Sequence, residues 1–289
     1  MSRLPVLAIL ITCRNRRETT LRALQRVRAQ APVFATRLFV FDDDSSDGTP
    51  EAVTDADPEA ILIRGDGNAF WNGGLYQVWS EASKHRSDAF LWLNDDVELD
   101  EDAFARLADA WETMQASAPN GRFILVGATR DSNGKVTYRG MRAHHSPFAF
   151  HLDDVDPGDS LQPIDTFNGN IVLVTRAVVD RIGLNDQAFH HNWGDIDYGL
   201  PRQGAGIPVM LMPGTLGVCA ANDAKIRRGY GSPHLSIREQ WRKVNTHHGV
   251  PFASWWRLTR RHSGKWWPLH FLIPYRWLVL PRWPRGGAS

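Results

Sequence analysis

Four short apolar runs, each ending in a knot of polar residues, constrain this chain more than any other feature. Val6 to Ile11 leads into Thr12-Cys13-Arg14-Asn15-Arg16, and Leu38 to Phe41 into Asp42-Asp43-Asp44-Ser45-Ser46-Asp47-Gly48-Thr49. Ile61 to Ile63 precedes Gly65-Asp66-Gly67-Asn68, and Phe90 to Leu93 precedes Asn94-Asp95-Asp96-Val97-Glu98. Val6 to Ile11, a continuous apolar run, reads as a strand buried on both faces, Phe90 to Leu93 as a buried strand, and the other two as further strands. Between the runs, Leu21, Leu24 and Val27 recur at helical spacing, as do Leu75, Val78, Trp79 and Ala82. Phe104, Leu107, Ala108 and Trp111 line another helix, with Asp100 as its N-cap. Strand, helix, strand, helix is the order of a parallel α/β sheet, whose ligands sit beyond the carboxyl ends of the strands. The polar knots therefore converge on one edge.

The stretch Leu91 to Glu98 is the sharpest of these endings. Two adjacent carboxylates at a strand's end repel one another unless water screens them or a divalent cation lies between them and a polyanion. Taken alone, the stretch also fits an acidic loop capping the next helix. The recurrence of polar groups after each strand favours a site. Individual residues keep a second explanation. Asp43 fits a cap on the turn before Thr49, and Asp66 and Asn68 fit ordinary turns. Asp195 and Asp197 fit solvated acids at a helix start, and Trp71 and Trp193 fit core positions. His190 and His191 fit structural histidines.

The second half is less regular. Ile124 to Ala128 and Ile171 to Val174 read as strands, Asp131 to Lys135 as a hairpin turn, and Pro208 to Met212 as a short strand. Residues 140–165 lack periodicity and read either as a mobile substrate loop or as a poorly structured insertion.

Four motifs in order carry a family resemblance: Ile11 to Arg16, Val40 to Thr49, Leu93 to Val97, and Gly194-Asp195-Ile196-Asp197-Tyr198-Gly199-Leu200. Over residues 5–218 the chain resembles a family 2 glycosyltransferase of the GT-A fold, in the branch of bacterial rhamnosyltransferase-like enzymes of surface-polysaccharide assembly. The resemblance implies a Rossmann-like nucleotide-binding sheet, mostly parallel, with helices on both faces, and a divalent cation, Mn2+ or Mg2+. It places Thr12, Arg14 and Arg16 at the nucleotide. Asp42 and Asp43 match the first acidic pair. Asn94, Asp95 and Asp96 match the Asp-X-Asp motif, with Asp96 and Asp95 as metal ligands. Asp195 matches the catalytic base of inverting members. Asp66, Asn68 and Trp71 are assigned to the donor side, and Asn170, Trp193 and Asp197 to the acceptor side. His234, His247 and His248 are candidates for a third metal ligand, with no spacing to choose among them.

The chain departs from the family in three places. Asn94 replaces the usual first aspartate, leaving one fewer charge for the metal. Gly194 stands where glutamate is common. Pro201 stands where a basic residue is common, so the helix is expected to start later than Asp195 or to kink.

Charge is unevenly distributed. From Lys225 onward there are 13 Lys and Arg against one acidic residue, Glu239, leaving 20 of the 33 basic and 31 of the 32 acidic residues before that point. Seven of the twelve tryptophans lie between Trp241 and Trp283. The expected organisation is a GT-A domain over 1–222, with a donor half (1–100) and an acceptor half (101–222), and a helical, basic, Trp-rich extension over 223–289. Tryptophan and cations together suit an anionic membrane surface, here assigned to residues 250–285. A subdomain packed on the core or a subunit interface fits the same composition. Two cysteines suggest neither a disulfide framework nor a zinc cluster, so a reducing compartment is expected. The N-terminal apolar run is too short to span a bilayer. The expected setting is cytoplasmic, peripheral to the inner face of the membrane.

The expected partners are a nucleoside-diphosphate sugar and a glycan or polyprenyl-diphosphate-linked acceptor. A sugar nucleotidyltransferase needs a glycine-rich phosphate loop after its first strand, and Thr12 to Arg17 contains no glycine. A degenerate module that binds nucleotide sugar or glycan without turnover is compatible with Asn94 but leaves Asp96 and Asp195 idle. Clustered Arg and Trp in the tail allow nucleic acid, but the acidic strand ends repel phosphate unless a metal intervenes, so nucleic acid is not expected.

Overall fold

The structure, a computed structural model, describes residues 4–118, 120–146, 149–189, 192–200, 206–221, 236–246 and 249–278. The chain divides into two compact units, Met1–Arg142 with Asp153–Ala221, and Ala143–Leu152 with Asn222–Ser289.

The first unit opens with β1 (Val6–Cys13), α1 (Arg17–Arg28), β2 (Ala35–Asp42), α2 (Thr49–Ala56), β3 (Ile61–Arg64), α3 (Phe70–Ser83) and β4 (Ala89–Leu93). It continues through β5 (Glu98–Leu99), α4 (Ala103–Ser117) and β6 (Ile124–Arg130) to β7 (Gly140–Ser146) and β8 (Ala149–Val155), a hairpin whose residues 143–152 belong to the second unit. Then come β9 (Gln162–Pro163), β10 (Thr166–Phe167), β11 (Ile171–Thr175), α5 (Arg176–Ile182), α6 (Gly194–Gly199) and β12 (Val209–Val218). The main sheet runs β3-β2-β1-β4-β11-β6-β12-β5, with β9 beside β12. Its first four strands are parallel. β11 enters antiparallel between β4 and β6, and β12 pairs parallel to β6. This is the expected α/β class: a mixed, mostly parallel sheet flanked by helices, with a distinct helical, Trp- and Arg-rich C-terminal region.

The apolar runs are continuous because both sheet faces are covered. Leu7, Ile9, Ile11, Val40 and Leu91 pack on one face with Leu24, Phe104 and Leu107. Ala8, Leu10, Phe39, Phe41, Phe90 and Trp92 pack on the other with Leu75, Val78 and Trp79. The register then sets the polar ends side by side. Cys13 pairs with Asp42, Asp42 with Arg64, and Leu93 with Ile171.

Three local expectations are corrected. Asp100 is not the cap of α4: residue 102 holds that position, and Asp100 instead takes both Arg130 Nη1 and Nη2 at 2.7 Å. Residues 140–165 are neither a loop nor an unstructured insertion, since they supply the β7–β8 hairpin and β9. The helix at Asp195 neither starts late nor kinks. α6 begins at Gly194, spans six residues and ends in an extended Leu200, the conformation that a following proline favours. Pro201 itself lies outside the described residues, as do His190, His191, His234, His247 and His248. The strand expected at Pro208 to Met212 is longer, reaching Val218.

The second unit contains α7 (Ile237–Val244), α8 (Phe252–His262) and α9 (Trp267–Leu272), with 3-10 turns at Gly264–Trp266 and Ile273–Leu278. Ser236 and Glu239 form a capping box on α7. The hairpin tip belongs here: Phe150 lies 6.2 Å from Trp255 and 6.4 Å from His270 between ring centroids, and His270 Nε2 is 2.6 Å from the Ser146 carbonyl oxygen.

Candidate functional site

The ends of β1 and β4 meet through one side chain. Arg16 Nη1 lies 3.0 Å from Asp95 Oδ1 and 2.9 Å from Asp96 Oδ2, so two carboxylates converge on a single nitrogen. Asp95 is buried, and burial pushes its carboxyl up to about 6 against the opposing pull of Arg16. The charge of Asp95 in turn raises the Arg16 guanidinium. Asp95 Oδ2 is buried with no hydrogen-bond partner among the described residues.

Asp42 and Asp43 are buried, 0% and 5% exposed. Asp42 Oδ1 accepts from Ser45 N at 2.9 Å. Asp43 accepts from three backbone N–H groups, Gly67 at 3.0 Å, Ala69 at 3.3 Å and Phe70 at 3.2 Å, and so shapes the entry to α3. The cap on Thr49 comes from Asp47 instead. Arg14 Nη1 donates to the Gly67 carbonyl oxygen, tying the same loop to β1. Asp66 and Asn68 are exposed and form a turn, with Asn68 N on Asp66 Oδ1 at 3.0 Å. Thr12 is half-buried near the end of β1.

A second chain of contacts leads from Asn94 to Asp195. Trp71 Nε1 donates to Asn94 Oδ1 at 2.7 Å. The Trp71 ring lies over Gly169, where an added Cβ would stand 2.6 Å from Trp71 Cζ2. Gly169 N donates to Asp195 Oδ2 at 3.1 Å, and Ile196 N donates to Asp195 Oδ1 at 2.8 Å. These bonds fix the direction of the carboxylate, and each oxygen carries two lone pairs. Asn94 N donates to the Asn170 carbonyl oxygen at 3.1 Å, where β4 and β11 end together.

Arg16, Asp95 and Asp96 are thus brought together, as are Trp71, Asn94, Asn170 and Asp195. Trp193 is half-buried, with φ +76° at the start of α6. Asp197 is 2% exposed and Asn170 5%, so both stand beneath the surface.

Several contributors carry no local sequence signal. Cys219 Sγ lies 3.5 Å from Asp96 Oδ1 and 3.6 Å from Asn170 Nδ2. Burial, then the charge of Asp96, pushes its thiol pKa up, so it stays protonated beside the carboxylate. Asn72 is buried and holds the carbonyl oxygens of Asp186 (2.9 Å) and Phe189. A Cβ at Gly194 would overlap the Asn72 amide. The familiar glutamate therefore has no room at that position here.

Among the described residues no group of three or more His, Cys, Asp or Glu is placed to hold a metal ion. Two carboxylates converging on one cationic nitrogen, with a buried carboxylate oxygen left over, nonetheless suit a hard cation. Such an ion takes oxygen ligands and leaves positions for phosphate and water. Asp95 and Asp96 are the residues that would hold it.

No curated protein sequence matches the chain. Among solved structures, the mannosyltransferase PcManGT from Pyrobaculum calidifontis, in complex with GDP-Man and Mn2+, shares the fold at 16% identity and a TM-score of 0.54, over 96% of this chain and 71% of that one. GalNAc-T7 with UDP, GalNAc and Mn2+ does so at 12% identity and a TM-score of 0.54, over 96% of this chain and 56% of that one. The chain therefore spans little more than half the length of the second. The glycosyl transferase family 2 profile matches residues 8–169, more than half the chain and every strand end described above from β1 to β4. On that match the chain belongs to glycosyl transferase family 2.

Proposed function

We propose that this protein is an inverting, metal-dependent glycosyltransferase of the rhamnosyltransferase-like branch. It moves a hexosyl or deoxyhexosyl group from a nucleoside-diphosphate sugar to a glycan or polyprenyl-diphosphate-linked acceptor in surface-polysaccharide assembly. The observation that carries this is the convergence of Asp95 and Asp96 on one point beside Asn94, with Trp71 and Gly169 linking Asn94 to a directed Asp195. Both fold relatives were solved with a nucleotide or nucleotide sugar and Mn2+.

Each residue then has a task. Asp42 and Asp43 build the loops that receive the base and ribose, with Thr12, Asp66 and Asn68 at their rim. Arg14 and Arg16 face the diphosphate, and Trp71 with Asn94 walls the sugar. Asp95 and Asp96 hold the cation. Bound there, Mn2+ or Mg2+ would neutralise charge gathering on the leaving diphosphate. Asp195 takes the proton from the attacking hydroxyl on the opposite face of the sugar, which makes the transfer a single displacement. Trp193 offers a ring to the acceptor, while Asn170 and Asp197 support that side from beneath. The work is placed in the cytoplasm, at the inner face of the membrane.

A panel of nucleotide sugars, read by donor hydrolysis and thermal shift with and without Mn2+, identifies the donor. Asp195→Asn is expected to lower transfer by about 100-fold or more while leaving nucleotide binding nearly intact. Asp96→Ala is expected to weaken binding of the nucleoside diphosphate with Mn2+. Transfer at the unaltered rate in Asp195→Asn removes the base assignment.

A further inference from the structure

Among the described residues, six of the eight exposed large hydrophobic side chains lie between Ile237 and Leu272: Ile237 (57% exposed), Trp241 (42%), Phe252 (45%), Trp256 (40%), Leu269 (45%) and Leu272 (57%). Exposed apolar surface gathered in one stretch marks a contact surface. The helices show that this exposure is selective. In α8, Trp255 is buried and its indole N–H donates to the carbonyl oxygens of His270 and Phe271, both at 3.2 Å. Its neighbour Trp256 faces out, on a stripe with Phe252 and Arg260 at i, i+4 and i+8. In α9, His270 is buried while Leu269 and Leu272 are not. One set of side chains builds the unit, and a second set is left for something else.

Part of that second set rests on the packed rings of the unit, through half-buried Phe271 and buried Tyr275. Trp241 lies 6.0 Å from Phe252 and 6.1 Å from Tyr275, and Phe252 lies 4.8 Å from Phe271, linking all three helices. Cations sit on the aromatic rings. The Arg260 guanidinium is 5.7 Å from Trp256 and 5.4 Å from Trp267, and Lys265 Nζ is 5.2 Å from Trp266. From Ser236 to Leu278 there are eight Lys and Arg and one acid, Glu239, which is spent on the α7 capping box.

We propose that α7, α8 and α9 present a surface that lies on an anionic lipid bilayer. Phe252, Trp256, Leu269 and Leu272 enter the boundary between headgroups and acyl chains, and Arg260 and Lys265 meet lipid phosphate. Charge complementarity selects this occupant, because the surface is cationic and nearly free of acids. The aliphatic side chains select it over nucleic acid, which has no use for exposed leucine and isoleucine, whereas tryptophan beside cations is the chemistry of the bilayer interface. The surface lies on the bilayer rather than crossing it, since no helix among the described residues is long and apolar enough to span one. The proposal stands independently of sugar transfer.

The test is flotation of the full-length protein with vesicles of phosphatidylcholine alone or with one third phosphatidylglycerol. Recovery with the anionic vesicles, lost at about 0.5 M salt and absent with phosphatidylcholine alone, is expected. Two variants act on different parts of the surface: Trp256→Ala with Leu269→Ser and Leu272→Ser, and Arg260→Glu with Lys265→Glu. Each is expected to lower recovery about tenfold or more, with circular dichroism and thermal unfolding unchanged. Because the second variant keeps every apolar side chain, it decides the matter if the first fails to fold. Wild-type protein left in the aqueous fraction overturns the proposal. So do equal recoveries of wild type and both folded variants, or capture by a single-stranded oligonucleotide with none by vesicles.

Discussion

If Asp95 and Asp96 hold the proposed cation, Arg16 stands in its place. One of its nitrogens spans Asp95 and Asp96, and its pull opposes the repulsion between two neighbouring carboxylates, which still helps to raise Asp95. A guanidinium and a divalent ion compete for the same oxygens, and a departing diphosphate gives the displaced guanidinium a new partner. Arg16→Ala should therefore strengthen Mn2+ binding to the nucleotide-free protein several-fold, read by Mn2+ electron paramagnetic resonance. It should also weaken nucleoside-diphosphate binding about tenfold, the worth of one charge-assisted contact. Unchanged Mn2+ affinity would place the ion elsewhere. The pair Asp95 and Asp96 was legible from its place after an apolar run, and Arg16 from its place after another. Cys219 and Asn72 were not. Each acts on residues over a hundred positions away, on Asp96 or on Asp186 and Phe189, and only strand register and chain path bring those together.

At the scale of elements, β11 and α6 aim the second half of the site at the first. The hinge of that arrangement is Gly169, pressed between the Trp71 ring and Asp195. Gly169→Ala puts a methyl group against the indole, which must shift and carry the Asp195 direction with it. The expected result is a fall in kcat of about tenfold or more, with nucleotide affinity changed less than about twofold, a split that reports misplacement rather than lost binding. The strands of the first half were legible because sheet faces covered on both sides demand continuous apolar runs. The β7–β8 hairpin was not, because His144, Ser146, Asp153 and Asp154 all face water and leave no alternation to read. Asp100 misled for a related reason. Its residue type suits a cap, but an arginine from β6 claims both of its oxygens.

At the scale of the molecule, the two units differ in what holds them. The first has two extensive apolar layers around its sheet, while the second is a small set of short helices carrying a large share of the tryptophans. Calorimetry should resolve two unfolding transitions. A nucleoside diphosphate with Mn2+ at about 100 times its Kd should stabilise the larger unit by about 2.7 kcal/mol and leave the other transition in place. A single transition that shifts as a whole would mean that the units unfold together. The shift in composition near Lys225 made a C-terminal region legible. It gave no hint that residues 143–152 belong with that region.

Those ten residues have a consequence for biosynthesis. The hairpin tip leaves the ribosome about a hundred residues before Trp255 and His270, the side chains that receive it. Until they emerge, the Phe150 ring lacks those two contacts, and a holding chaperone has an opportunity there. A chain cut short at 222 would lack the helices that carry Trp255 and His270. Insolubility of such a fragment would then report the loss of those ring contacts rather than a fault in the first unit.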